Sequence, residues 1–444
     1  MAQLNVAKAK KNPVYTHEGA KARIIPPVLQ LRRAVMACLL WENTFYESGK
    51  SIANRISDLV AKVSQRDAAE MAIEAREKMK LRHVPLLLLR EIARHSMPHL
   101  NYYISRVIQR ADEMTEFLSI YWKDGRCPLS AQVKKGLAGA FVKFDEYQLA
   151  KYNRDTDVKL KDVLFMCHAK PKTPEQEDLW KRLIDGKLAV PDTWEVNLSA
   201  GKDKKETFER LLRERKLGPM ALLRNLRNFA QSGVDRKIVK EAILDMNISR
   251  VLPFRFITAA RHAPDLEPQL EVALFKCCAE KPLLSGHTII LIDVSGSMDS
   301  MLSARSEVSR IDAASGIAML ASEICEDVSV YTFSEYIKQV PSRRGFALRD
   351  AIDKSQQHSG TYLGQAISVI NESKHDRLIV ISDEQSHDRV KDPVAKHAYM
   401  INVASYKNGI GYGKWTHIDG FSEAVLDYIT EVEKLDERSE DIKV

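Results

Sequence analysis

The chain has no apolar run long enough to cross a bilayer, no Cys-x-x-Cys pair and no recurring motif of fixed period in its 444 residues. The first absence excludes a helical span, which needs about 20 consecutive apolar residues. Met1 to Lys11 carry lysines but not the apolar stretch that a secretory signal requires, so a cytoplasmic protein without membrane association is expected. Six cysteines, with Cys277 and Cys278 adjacent, form neither a disulfide framework nor a zinc pattern, and inert buried thiols are expected. The lack of a tetratricopeptide or ankyrin period leaves the repeat class open.

What is present is ordinary globular composition, 45% hydrophobic and 29% charged, in a length that suits more than one domain. Charge is divided unevenly. Residues 1–284 hold 50 Lys and Arg against 35 Asp and Glu, a net of +15, whereas residues 285–444 hold 17 against 25, a net of −8. A basic N-terminal portion favours a polyanionic partner, because neutralised phosphates release counterions. The acidic remainder does not.

After a basic start, expected to be flexible, and a Pro-containing segment up to Pro26-Pro27, apolar residues recur at three-and-four spacing. They predict helices over 29–40, 52–63, 67–79, 84–93 and 102–120, then 132–144, 160–167, 174–184, 204–216, 219–229, 235–245 and 264–278. Ser51, Asp67 and Ser130 read as starts, and Pro98, Gly125 and Gly186 as stops. A succession of such helices without a strand predicts stacked helical hairpins, a solenoid. Basic pairs recur on polar faces: Arg32 and Arg33, Arg90 and Arg94, Lys134 and Lys135, Lys159 and Lys161, Arg224 and Arg227.

Beyond Gly286 strands alternate with helices. Strands are expected over 288–292, 328–333, 377–382 and 398–404, and helices over 310–325, 363–370 and 421–430, which is the pattern of a parallel sheet covered on both faces. The first strand ends in Asp293-Val-Ser295-Gly-Ser297, one carboxylate and two hydroxyls that suit Mg²⁺ first, and Mn²⁺ or Ca²⁺ next. Thr361 and Asp383 stand at later loops of the same sheet edge and complete a five-residue set. With only two acids, a bound ion would remain electrophilic toward an outside carboxylate or phosphate. Ser295 lacks a Gly-x-Ser-x-Gly elbow and a histidine base, so no catalytic residue is assigned.

This set resembles the metal-ion-dependent adhesion site of von Willebrand factor A domains. With a basic helical array before it, the whole chain resembles the Ro/TROVE family of RNA-binding proteins. The resemblance is carried by Asn12-Pro-Val-Tyr-Thr-His-Glu-Gly19, Leu31-Arg-Arg-Ala34, Leu40-Trp-Glu-Asn43, Lys161-Asp-Val-Leu164, Cys167-His-Ala-Lys-Pro171, Met220-Ala-Leu-Leu-Arg-Asn-Leu-Arg227 and Trp415-Thr-His-Ile-Asp-Gly-Phe-Ser422. It implies a multidomain α plus α/β fold: a ring of HEAT-like helical repeats over residues 1–284, closed by a Rossmann-like von Willebrand factor A domain over 285–444.

It further implies a noncatalytic, monomeric ring that binds small noncoding Y-like RNA on its outer surface and single-stranded 3′ ends of misfolded RNA in its hole. RNA rather than DNA would be the ligand, and an exoribonuclease a partner. Lys134, Lys135, Lys161 and His168 are the foremost RNA-contact candidates, followed by Arg224 and Arg227. The competing reading is a metal-dependent protein-interaction module with the helical array as a partner platform. His95 and His99, the Tyr102–Tyr103 pair, and Asp419 with Ser422 are expected to serve structure: surface, packing and the turn into the last helix.

Overall fold

The computed structural model describes residues 13–22, 24–37, 44, 47–249 and 251–441, the side chains of 435–441 excepted. Asn12 and the Leu40-Trp-Glu-Asn43 motif lie outside the described residues, as does the end of the first expected helix. The helical portion begins with α1 (Pro27–Met36), α2 (Gly49–Val60), α3 (Gln65–Glu77), α4 (His83–Ala93), α5 (Leu100–Val107), α6 (Asp112–Tyr121), α7 (Ala131–Phe141) and α8 (Glu146–Tyr152). It continues with α9 (Leu160–Cys167), α10 (Pro174–Ile184), α11 (Trp194–Ser199), α12 (Lys204–Arg213), α13 (Pro219–Gln231), α14 (Arg236–Asp245), α15 (Phe254–His262) and α16 (Glu267–Phe275). Through α7 odd helices pack on odd and even on even, and the same two-layer order returns from α12 to α16. That is the stacking of helical repeats, in which each hairpin buries the apolar face its neighbour cannot cover alone.

The expected helix over 102–120 is two helices. Glu113, fully buried, accepts from the backbone N–H of Gln109 at 2.8 Å and Arg110 at 3.1 Å, stabilising a break that apolar periodicity does not reveal. The caps are also displaced: Ser48 and Ser64, not Ser51 and Asp67, accept from the first turns of α2 and α3, while Ser130 caps α7 as expected.

The C-terminal portion comprises β1 (Leu284–Asp293), α17 (Arg310–Glu323), β2 (Cys325–Phe333), β3 (Ile337–Gln339), α18 (Gly345–Asp353), α19 (Leu363–Ile370), β4 (Arg377–Ser382), β5 (His397–Asn402), β6 (Thr416–Asp419) and α20 (Ala424–Asp441). The sheet order is β3-β2-β1-β4-β5-β6, parallel throughout except for β3. β1 is buried on both faces: Ile290 and Ile292 join the large core shared with the helices, and Ile289 and Leu291 a second core with α19. Asp419, expected to order a turn, instead ends β6 and accepts from Asn402 Nδ2 at 2.7 Å. The fold is α plus α/β.

Both ends of the helical array meet the sheet unit. α15 and α16 pack on α17, and α1 lies against β6. Arg33 of α1 is fully buried and donates to Glu384, after β4, at 2.9 Å, and to the carbonyl of Tyr406 at 2.5 Å. The Pro-containing segment before α1 is fastened to the same loop through Thr16, His17 and Ala20. Thr16 Oγ1 donates to Ser386 O at 2.7 Å and the N–H of His17 to Gln385 Oε1 at 2.7 Å. The helices thus close on themselves through the sheet.

Candidate nucleic-acid and metal sites

The packing of α5 on α7 is close because Gly136 and Gly139 face it; a Cβ on Gly136 would lie 2.7 Å from Ile104 Cβ. The result is a surface groove of about 740 Å³ lined by Tyr102, Arg106, Lys135, Lys143, Lys170 and Lys172 among others. Tyr102 is 51% exposed there, edge-on to the buried Tyr103, so the expected packing pair divides into one packed ring and one presented ring. Arg106 is engaged by Glu77 at 2.7 Å and by the Tyr102 hydroxyl, and Lys143 donates to the carbonyls of Ser105 and Ile108. Lys135, Lys170 and Lys172 have no carboxylate partner among the described residues.

His168 ends α9 in the left-handed conformation, φ 53°, where its ring is exposed and the chain turns toward Lys170 and Lys172. Of the expected RNA contacts, the groove therefore takes in Lys135 and adjoins His168. Lys134 is half-buried and Lys161 is exposed on the first turn of α9, and neither lines the groove. Lys170 was legible only as a member of the Cys167-His-Ala-Lys-Pro171 motif, and Lys172 as its neighbour. Arg32, Arg33 and Arg90 are not presented faces, since they pair with Glu74, with Glu384, and with Glu91 and Asp124 in turn, whereas Lys159 is partly exposed and pairs with Asp155.

Arg224 and Arg227 stand apart, in a pocket of about 570 Å³ between α13, α15 and the loop 303–307. Arg255, Arg305 and His262 line it with them, against one acid, Glu307. Burial, and then the neighbouring Arg224, lower the Arg255 guanidinium from its ordinary value.

The carboxyl ends of β1 and β4 are neighbours at the point where strand order reverses, the usual place for a ligand in an open parallel sheet. There Asp293 accepts from the N–H of Ser295 at 2.9 Å and from Ser382 Oγ at 2.7 Å. Ser295 and Ser297 hydroxyls are 3.3 Å apart, and Ser297 donates to Asp383 at 2.7 Å. The Gly296 N–H donates to Ser359 O at 2.9 Å, drawing the loop that carries buried Thr361 against the serine turn. Burial, and then the charge of Asp383, push the Asp293 carboxyl well above its ordinary range. Two buried carboxylates and hydroxyl oxygens are a fitting donor set for a hard divalent cation. One cation is already there: Arg310 Nη1 lies 3.1 Å from Asp383.

No group of three His, Cys, Asp or Glu side chains among the described residues is placed to hold a metal, so His95 and His99 have no such partners. Burial raises the thiols of Cys277 and Cys278 to about 12 and that of Cys167 to about 11, leaving them unreactive at neutral pH. No helix among the described residues is long and apolar enough to cross a membrane.

Comparison with known proteins adds three findings. The TROVE domain family model matches residues 37–185 and 180–288. The crystal structure of the Deinococcus radiodurans RO (RSR) protein superimposes with a TM-score of 0.58 at 18% identity, covering 91% of this chain and 99% of that one, a likeness of fold. Telomerase protein component 1 of Mus musculus is 36% identical over 90 residues, which are 19% of this chain and 3% of that protein's length. The family match spans more than half of the sequence, and the chain belongs to the TROVE family of RNA-binding proteins.

Proposed function

We propose that this chain is a noncatalytic scaffold that holds small Y-like RNA and single-stranded 3′ ends of misfolded RNA for quality control or processing in the cytoplasm, handing them to an exoribonuclease. The observation that carries the reading is the α5–α7 groove, where Lys135, Lys170 and Lys172 surround the exposed ring of Tyr102. Lysines neutralise phosphates, and a presented aromatic face stacks on an unpaired base. The Arg224 and Arg227 pocket offers a second anionic contact on the same array.

Residues 1–284 would form the RNA-binding body and 285–444 a von Willebrand factor A-like domain. In that domain Asp293, Ser295, Ser297, Thr361 and Asp383 would hold Mg²⁺, with Mn²⁺ or Ca²⁺ as substitutes. The ion would supply an electrophilic centre for an outside carboxylate or phosphate. The chain's own residues do the rest: Ser382 and the Ser295 N–H orient Asp293, and Ser297 orients Asp383.

Photocrosslinking of a thiouridine-substituted single strand to the full chain, followed by peptide mapping, tests the assignment. Crosslinks at Tyr102 and the 168–172 segment are expected. Crosslinks confined to residues 285–444 would contradict it and favour a metal-dependent interaction module instead.

A further inference from the structure

Arg310 opens α17, directly after the Ser309 cap, and its side chain is only 2% exposed. Nη1 lies 3.1 Å from Asp383 Oδ2 and 3.4 Å from the carbonyl of Ser297. The same Asp383 oxygen accepts from Ser297 Oγ at 2.7 Å, and the other, Oδ1, accepts from the Gln385 N–H at 3.2 Å. The guanidinium therefore occupies the carboxylate oxygen that sits next to the serine hydroxyls, where a divalent ion would need it. Two buried carboxylates, Asp293 and Asp383, are partly neutralised by one fixed positive charge. Adding a doubly charged ion a few ångströms from that buried charge sets the two cations against each other.

We propose that Arg310 is a built-in rival of the divalent ion, holding the strand-end site in a metal-free arrangement that stands without an ion and making uptake conditional on its guanidinium leaving Asp383. The inference rests on the metal reading of the same residues. The departure is a movement of the side chain and not of the helix. Asp312 fixes the start of α17 through reciprocal bonds with Ser309, at 2.9 and 3.2 Å, and accepts both Arg261 nitrogens from α15, at 2.9 and 2.5 Å. Arg310 lies between these anchored residues, so its backbone stays while its rotamer changes. A site built this way is silent at low ion concentration, and its free state is a closed ion pair rather than two repelling acids.

The test is Mn²⁺ titration of the full chain, followed by electron paramagnetic resonance of the free ion, for the wild type, R310Q, R310K and D293A. R310Q should bind about tenfold more tightly than the wild type or better, since a charge adjacent to the ion is gone. R310K, which keeps the charge on a less firmly held group, should fall between them, and D293A should not bind. Thermal melting gives a second readout. The wild-type midpoint should rise less from EDTA to Mn²⁺ than that of R310Q, which should melt lower in EDTA and recover with Mn²⁺. Equal or weaker Mn²⁺ binding by R310Q and R310K than by the wild type overturns the role of Arg310 and leaves the metal site standing. Folded R310Q and wild type that both fail to bind Mn²⁺ overturn the metal reading and this inference together.

Discussion

Buried charge in this protein is concentrated at single contacts that join distant parts of the chain. Glu384 accepts from Arg33 and contacts His417, and its second oxygen accepts the N–H groups of Ile410 and Gly411 at 2.9 and 2.8 Å. Burial alone would raise its pKa, but Arg33 and then His417 hold it well below the usual carboxylate range. An unfolded glutamate titrates near 4.3, so between the two values the unfolded state binds more protons and acid destabilises the fold. The stabilisation is complete above the unfolded value and is lost as pH falls below it. Arg33→Met should cost about 3–5 kcal/mol at neutral pH by stranding the carboxylate. Urea unfolding from pH 6 to pH 3 checks both parts: the wild type should lose stability steeply in acid, R33M much less. This contact was hidden in the sequence, where Arg33 reads as half of a basic surface pair and its partner stands 351 residues away. Asp293, Ser295 and Ser297 were legible because a strand end places them together; Arg310, seventeen residues past that strand, carried no local signal.

At the level of elements, helices with a full apolar stripe were legible to within a turn, as α9 and α10 demonstrate. Helices missed were short, such as α8 and α11, or opened on an alternating stretch, as Phe254-Arg-Phe-Ile257 does in α15. β3 and β6 escaped notice because edge strands of three and four residues need no apolar run. The close approach of α5 and α7 is what builds the groove, and it depends on Gly136. Alanine there would gain up to about 1 kcal/mol of helix propensity. The new Cβ, at 2.7 Å from Ile104 Cβ and 3.1 Å from the carbonyl of Asn101, must push the helices apart, at about 1–3 kcal/mol. G136A should therefore melt lower and bind RNA more weakly. G139A, whose Cβ would meet Ser105 Oγ at 3.3 Å, should be nearly neutral in melting experiments.

For the molecule as a whole, the division into a basic helical portion and an acidic sheet portion was plain in the charge count, but the closure of one upon the other was not. Periodicity reports on a residue's own helix, and closure is made by α1 against β6 and by α15 and α16 against α17. The same separation predicts independent sites. The groove lies on α5 and α7, and Asp293 at the end of β1. Asp293→Ala should abolish divalent-ion binding and leave RNA affinity within about twofold, since no phosphate contact is lost. Calorimetric titration of ion and of RNA into the variant separates the two.

The central claim is that RNA is held through phosphates at the α5–α7 groove. Filter binding of a single-stranded RNA to the full chain across a salt series tests it most directly, with K135A/K170A/K172A beside the wild type. Three phosphate contacts carry about 0.7 each in the slope of log affinity against log salt. The account predicts tight binding at low salt and a slope flatter by about two in the triple variant. An unchanged slope and affinity in that variant, or no RNA binding by the wild type at low salt, would contradict it.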